Sequence, residues 1–206
     1  MAALAIVLLS FATGAYLYYQ MPEAMASHWN ARGEVDGYMP KLWGLFLMPA
    51  LSFVLFLFFA AIPKIDPMKK NIAKFRKYFD RFVLLIMAFL LYLYLITIMW
   101  NFGFNFNMIQ LLVPAFAVLF YYSGVLIEKA KRNWFIGIRT PWTMSSDRVW
   151  NKTHKLGGKL FKISGVISLL GLLSEDYAIY AIILPIISFT AFLFVYSYFQ
   201  YRKSGK

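Results

Sequence analysis

The sequence predicts an all-α, polytopic membrane protein with six transmembrane helices and both termini in the cytoplasm. A small extracellular hairpin-like loop is expected between helices 1 and 2. Three observations carry this reading. Of the 206 residues, 61% are hydrophobic and only 15% are charged, whereas a soluble domain carries about 25% charged residues. The apolar residues fall in runs close to the ~20 residues that a helix needs to cross the hydrocarbon core. Finally, 19 of the 21 Lys and Arg residues fall at one membrane face, as the positive-inside rule requires of a cytoplasmic face.

The chain reads as one integral domain, residues 1–206, with spans near 2–19, 42–62, 82–100, 108–127, 156–173 and 177–199. The first span has no charged side chain and ends on Tyr16, Tyr18 and Tyr19. That is an aromatic belt rather than a small-residue cleavage site, so the segment is expected to stay as an anchor. Pro22 stops it, and Gly33 and Asp36-Gly37 mark turns in the polar interval that follows. The second span holds Pro49, tolerated in a membrane helix when neighbours satisfy the freed carbonyl. Residues 63–81 read as a basic loop, with a turn at Asp66-Pro67, before the third span and its Trp100 anchor. A short neutral connection, Asn101 to Asn107, leads to the fourth span, which contains Pro114. Ser146 or Asp147 can cap a helix that runs into the fifth span. Only Ile163 to Ser174 of that span is free of charge, so Lys159 and Lys162 are expected to snorkel to the inner interface. The sixth span follows the Glu175-Asp176 turn and contains Pro185.

Charge orients the chain. Seven cations lie in 63–81, nine in 128–162 and three in the tail, namely Arg202, Lys203 and Lys206. The opposite face holds only Arg32 and Lys41, with Glu23, Glu34, Asp36, Glu175 and Asp176. Membrane topology therefore accounts for the net charge of +12 without direct nucleic acid binding. The absence of cysteine excludes disulfides, Cys-ligated zinc and iron–sulfur centres. With His28 and His154 as the only histidines, no metal or cofactor is expected. No acidic residue lies deep in a span, which argues against a proton pump or ion-coupled transporter.

Two polar intervals stand out. The outer one contains Met-Pro-Glu-Ala-Met-Ala-Ser-His-Trp-Asn-Ala-Arg-Gly-Glu-Val-Asp-Gly-Tyr-Met-Pro-Lys, residues 21–41. The inner one opens Asn-Trp-Phe-Ile-Gly-Ile-Arg-Thr-Pro-Trp-Thr at 133 and continues through Trp150 and His154 to Gly158. Three tryptophans, several cations and a Thr-Pro turn exceed what a mere connection needs. Both intervals resemble signatures of SdpI-type membrane proteins. Pro22, His28, Trp29, Asn30, Gly33, Asp36, Gly37, Tyr38 and Lys41 stand at the places of the outer signature. Asn133, Phe135, Gly137, Arg139, Thr140, Pro141, Trp142, Thr143, Trp150, Thr153, His154 and Gly158 fill the inner one. The resemblance implies a six-helix membrane protein that gives immunity to a secreted peptide toxin. It also implies a receptor that holds a transcriptional repressor at the membrane.

The residues leave alternatives open. His28, among Glu23, Glu34 and Asp36, suits a divalent metal or a pH-sensitive external contact, though the metal signal is weak, or else a hairpin whose His and Asn bond the turn backbone. Arg139 with Thr140 and Thr143 can hold a lipid phosphate, a partner's carboxylate or a small ligand. Equally, the loop can simply lie at headgroup level among its tryptophans. Trp150 and His154 share one helical face, and Asp147 can orient His154 in the one catalytic arrangement the spacing allows.

The expected function is non-enzymatic. An outer recognition surface of His28, Trp29, Asn30, Glu34, Asp36 and Tyr38 meets a secreted peptide. An inner partner- or ligand-binding loop is built from Asn133, Gly137, Arg139, Thr140, Pro141, Trp142, Thr143, Trp150 and His154. The alternative is a membrane enzyme, or a lipid- or small-ligand-handling protein, with the Arg139–His154 interval as its site. Membrane lipid is a partner in either case.

Overall fold

The computed structural model describes residues 1–204; of the three tail cations, Lys206 lies outside them. In chain order the elements are α1 (Ala2–Leu17), β1 (Ala24–Trp29), β2 (Val35–Pro40), α2 (Lys41–Ile65), α3 (Lys69–Ala73), α4 (Arg76–Asn101), α5 (Met108–Lys129), α6 (Pro141–Ser145), α7 (Asp147–Ser168) and α8 (Ala178–Ser204). A 3₁₀ turn continues α1 over Tyr18–Gln20, and another continues α7 over Leu169–Leu173. Six helices are long and apolar enough to cross a membrane: α1, α2, α4, α5, α7 and α8. Their outward faces carry Leu8, Leu51, Val54, Leu57, Leu184 and Ile187, all exposed. In water such surfaces would drive aggregation, but in lipid they match the solvent, and the helices satisfy their own backbone. The chain is a multi-pass membrane protein.

The helices outrun the apolar runs of the sequence. The stretch 63–81 is mostly helical rather than a loop: α2 continues through Pro63 to Ile65, α3 follows, and α4 begins at Arg76. Arg and Lys favour helix almost as well as Leu. Arg76 also pairs with Asp80 one turn on, Nε to Oδ1 2.6 Å. Similarly, α7 starts well before its apolar run. Ser146 caps it, its Oγ accepting from Val149 N at 3.4 Å.

The first group of helices is α1, α2 and α4, packed around Leu45, Tyr94 and Ile98. The hairpin closes one end of this group. Its strands are antiparallel, with Ala24 opposite Pro40, Met25 opposite Met39 and Trp29 opposite Val35, and the register is irregular about His28. Met25 and Ala26 are buried. Asn101, the last residue of α4, clamps the first strand: Ala26 N donates to Asn101 Oδ1 at 2.8 Å, and Asn101 Nδ2 donates to Ala26 O at 3.1 Å.

The second group is α5, α7 and α8. Its α5–α7 seam is made of small residues. A Cβ on Gly158 would lie 2.7 Å from Gly124 O, and one on Gly165 would lie 2.5 Å from Ala117 O. The two backbones therefore touch, as small residues allow in membrane helices. Lys162 does not snorkel alone. Its Nζ crosses the seam to Glu128 Oε2 at 2.5 Å, with both side chains about 30% exposed. A lysine with a carboxylate one helix away gains a charged hydrogen bond that the interface alone does not supply.

Candidate functional site

The inner interval folds into a loop that is bonded to itself and to the bundle. Asn133 is fully buried and organises the first turn. Its Oδ1 accepts from Phe135 N (2.9 Å) and Ile136 N (2.6 Å), while Nδ2 donates to Lys131 O (2.8 Å) and Ile136 O (2.9 Å). All four hydrogen-bonding positions of the amide are used. Thr140 then caps the short helix α6, with Pro141 at its first position. Thr140 Oγ1 accepts from Thr143 N at 3.1 Å, Thr143 Oγ1 accepts from Thr140 N at 2.9 Å, and Thr143 also donates to Ile138 O at 2.8 Å. The Thr140 and Ser197 hydroxyls meet at 3.0 Å, which fastens the loop to α8. Trp142 adds ring contacts to Phe194 and Tyr198, both with centroids 5.1 Å away.

Two residues outside both intervals hold this loop from the first helix group. Buried Asp66 accepts from Met68 N at 2.6 Å and from Trp134 N at 2.9 Å. Asn71 Nδ2 donates to Arg132 O at 2.9 Å. The Asp-Pro pair signals a turn in the sequence, but nothing local announces a partner 68 residues on.

His154 is locked rather than poised. Its ring stacks on Trp150 with centroids 3.8 Å apart and planes 15° from parallel. Ile138 N donates to Nε2 at 3.0 Å, and Nδ1 lies 2.9 Å from Trp150 O. A backbone N–H can only donate and a carbonyl can only accept, so the ring is neutral and protonated on Nδ1. Trp150 Nε1 in turn donates to Ala130 O at 2.9 Å. Gly137 (φ +108°) crosses the ring edge, where a Cβ would sit 2.4 Å from Nε2. Asp147 does not orient His154. It pairs with Arg132, Nε to Oδ1 3.1 Å, because the start of α7 points it toward the loop rather than along the helix. The Asp147–His154 arrangement is thus not formed.

Arg139 differs from its neighbours in being exposed. One of its Nη1 hydrogens goes to Trp134 O, which fixes the guanidinium across the loop. Beneath it lies a cavity of about 550 Å³ lined by Phe59, Phe79 and Phe82 on one side and by Phe161, Leu193 and Phe194 on the other. The roof is the chain from Phe135 to Thr140. The cavity thus separates the two helix groups below the loop.

At the opposite face, the structure gathers the outer residues unevenly. Asn30 builds the tip: its Oδ1 accepts from Arg32 N at 2.9 Å and Glu34 N at 3.1 Å, and Nδ2 donates to Glu34 Oε2 at 2.8 Å. Trp29 turns inward, edge-on to Trp100 with centroids 5.8 Å apart. His28 pairs with Asp36 across the strands, Nδ1 to Oδ1 2.5 Å. His28, Glu34, Asp36 and Tyr38 are exposed. Asn107 ties the tip to the α7–α8 turn, donating to Arg32 O at 3.0 Å and to Glu175 Oε2 at 3.1 Å. A cleft of about 710 Å³ results, with Arg32, Glu34, Glu175, Asp176 and two tyrosines in its walls.

The segment 129–198, from the folded inner loop through α7 into α8, matches the SdpI/YfhL protein family. The segment 5–53, from α1 through the hairpin into α2, matches a domain of unknown function (DUF1648). Across both, the chain is 24% identical over 199 residues to the immunity protein SdpI of Bacillus subtilis (strain 168), an alignment covering 96% of this chain and 93% of the relative. The chain is thus similar to an SdpI-type protein along nearly its whole length. No solved structure matches it. Most inner-signature residues face inward: Asn133, Thr140, Thr143, Trp150 and His154 are buried. Arg139, Pro141 and Trp134 remain on the surface. Sequence reasoning missed Asp66, Asn71, Asn101 and Asn107, single polar residues whose partners lie far along the chain.

Proposed function

We propose that this chain is a membrane immunity protein that protects its cell from a secreted membrane-active peptide. The observation that carries the reading is the similarity to an immunity protein over nearly the whole of both chains. That similarity spans both polar faces rather than one apolar segment. The positive-inside distribution puts the hairpin outside and the inner loop in the cytoplasm. Outside, the cleft of Glu34, Glu175 and Asp176 and the exposed Asp36 offer negative charge to a cationic peptide, and such attraction steers encounter. Inside, Arg139 and the surrounding cations face the cytoplasm, where a partner such as a transcriptional repressor docks.

The test is complementation of a Bacillus subtilis strain lacking its immunity protein SdpI. The expected result is restored survival with the wild-type chain and reduced survival with Glu34→Ala combined with Asp36→Asn. Membrane abundance is matched by quantitative blotting. Survival equal to that of the empty vector removes the immunity reading. Full protection by the double variant removes the outer acids from it.

A further inference from the structure

The cavity under Arg139 is an apolar space with a cation at its mouth. We propose that it holds one acyl chain of an anionic phospholipid from the cation-rich leaflet, with the lipid phosphate bound by Arg139. Three features support this. The volume, about 550 Å³, falls within the ~300–1,000 Å³ typical of ligand sites, and seven of its lining residues are phenylalanine. Phe58 on α2 and Phe194 on α8 line the cavity and are 47% and 52% exposed. The space therefore opens sideways between these helices, where lipid chains lie. Arg139 lines the roof at the loop and is exposed, with one Nη1 hydrogen tied to Trp134 O. Trp134 beside it is 53% exposed, as suits a ring at headgroup level.

Charge decides the headgroup. A phosphate with no balancing ammonium gains from a guanidinium fork, whereas a zwitterionic choline lipid places a second cation beside Arg139. Basic pockets between membrane helices on the cytoplasmic side bind anionic headgroups by the same chemistry. The site is distinct from the hairpin cleft, which is acidic and at the other face.

The experiment places the purified full chain in vesicles with equal amounts of phosphatidylglycerol and phosphatidylcholine of identical acyl chains. Retained lipid is then counted by native mass spectrometry. The expected result is one phosphatidylglycerol per chain, preferred about tenfold or more over phosphatidylcholine. Arg139→Gln, an exposed change, abolishes the preference. Ser123→Phe fills the cavity from α5, where Ser123 bonds only its own helix at Leu119 O, and lowers retention of both lipids. Equal retention of the two lipids by the wild type overturns the proposal. So does an unchanged preference in Arg139→Gln, or displacement of the lipid by oleate at equal concentration, which reassigns the site to a fatty acid. No toxin is present, so this outcome is separate from that of the survival test.

Discussion

Gly137→Ala adds one carbon where the inner loop crosses His154. Gly137 has φ +108°, a conformation that an L side chain rarely adopts, and forcing alanine into such a region costs about 1–3 kcal/mol. The new Cβ would lie 2.4 Å from His154 Nε2 and 3.5 Å from the Trp150 ring. Neither ring can retreat freely, since Trp150 is tied to Ala130 O and His154 to the Trp150 carbonyl. The loop must lift instead, breaking the bond from Ile138 N to Nε2. An unpaired buried polar group costs ~1–3 kcal/mol. The sum, roughly 2–6 kcal/mol, is comparable to the whole stability of many domains. The assay is thermal unfolding in detergent, followed by tryptophan fluorescence and far-ultraviolet circular dichroism together. The fluorescence transition, to which Trp134, Trp142 and Trp150 of the inner loop contribute three of the six tryptophans, should fall to lower temperature while helix content at low temperature stays at the wild-type level. Combining Gly137→Ala with His154→Ala makes room for the Cβ, so the double variant should lose less than the sum of the singles. A fluorescence transition at the wild-type temperature in Gly137→Ala would refute the account of a loop closed against His154.

Sidedness is tested by cysteine labelling, which the native lack of cysteine makes clean: an impermeant reagent should reach Glu34→Cys in intact cells and Ser145→Cys only after permeabilisation. Labelling of position 145 in intact cells reverses the orientation. Lys162→Met leaves Glu128 without its partner and should destabilise by ~1–3 kcal/mol, more than Lys162→Met with Glu128→Gln; equal losses would show that the pair is not coupled. In the survival assay Arg139→Lys should fail nearly as badly as Arg139→Ala, because a flexible ammonium lacks the rigid planar fork that holds Trp134 O and an incoming anion in fixed directions, at a loss of ~1.5–3 kcal/mol. Rescue by lysine would mean that a point charge suffices. Asp66→Asn turns an N–H donor toward either Met68 N or Trp134 N and should expose the 130–140 loop to proteolysis; protection as in the wild type would count against Asp66 as the anchor.

The spans were legible because lipid imposes a length and a polarity on each of them, and charge then sets their direction. The hairpin was legible from Gly33 and Asp36-Gly37, since turn chemistry is local. The inner interval was visible as unusual, yet the division of labour within it was not. Asn133, Thr140 and Thr143 read equally well as ligand contacts and as turn bonds, and the structure gives each of them backbone partners. Lys162 read as a snorkelling lysine because Glu128 is 34 residues away in sequence and only the α5–α7 seam brings it near. The cavity had no sequence signal at all. Its phenylalanines come from five segments, most of them in apolar runs where each one alone looks like an ordinary lipid-facing residue.

The long-range ties have a consequence for the order in which the chain is made. The first strand leaves the ribosome with Ala26 N and O unmet, and their partner Asn101 comes 75 residues later. The hairpin tip likewise waits 75 residues for Asn107, and Asp66 waits 68 for the amide of Trp134. At synthesis rates of roughly 5–20 residues per second, each of these groups stays open for several seconds. Water can serve the hairpin during that interval, since it lies outside the hydrocarbon. Asp66 waits at the opposite surface, where a cytoplasmic end would be wet as well. The nascent chain therefore carries this unfinished polar business at the two aqueous borders, while the segments committed to lipid are helices that satisfy most of their own backbone.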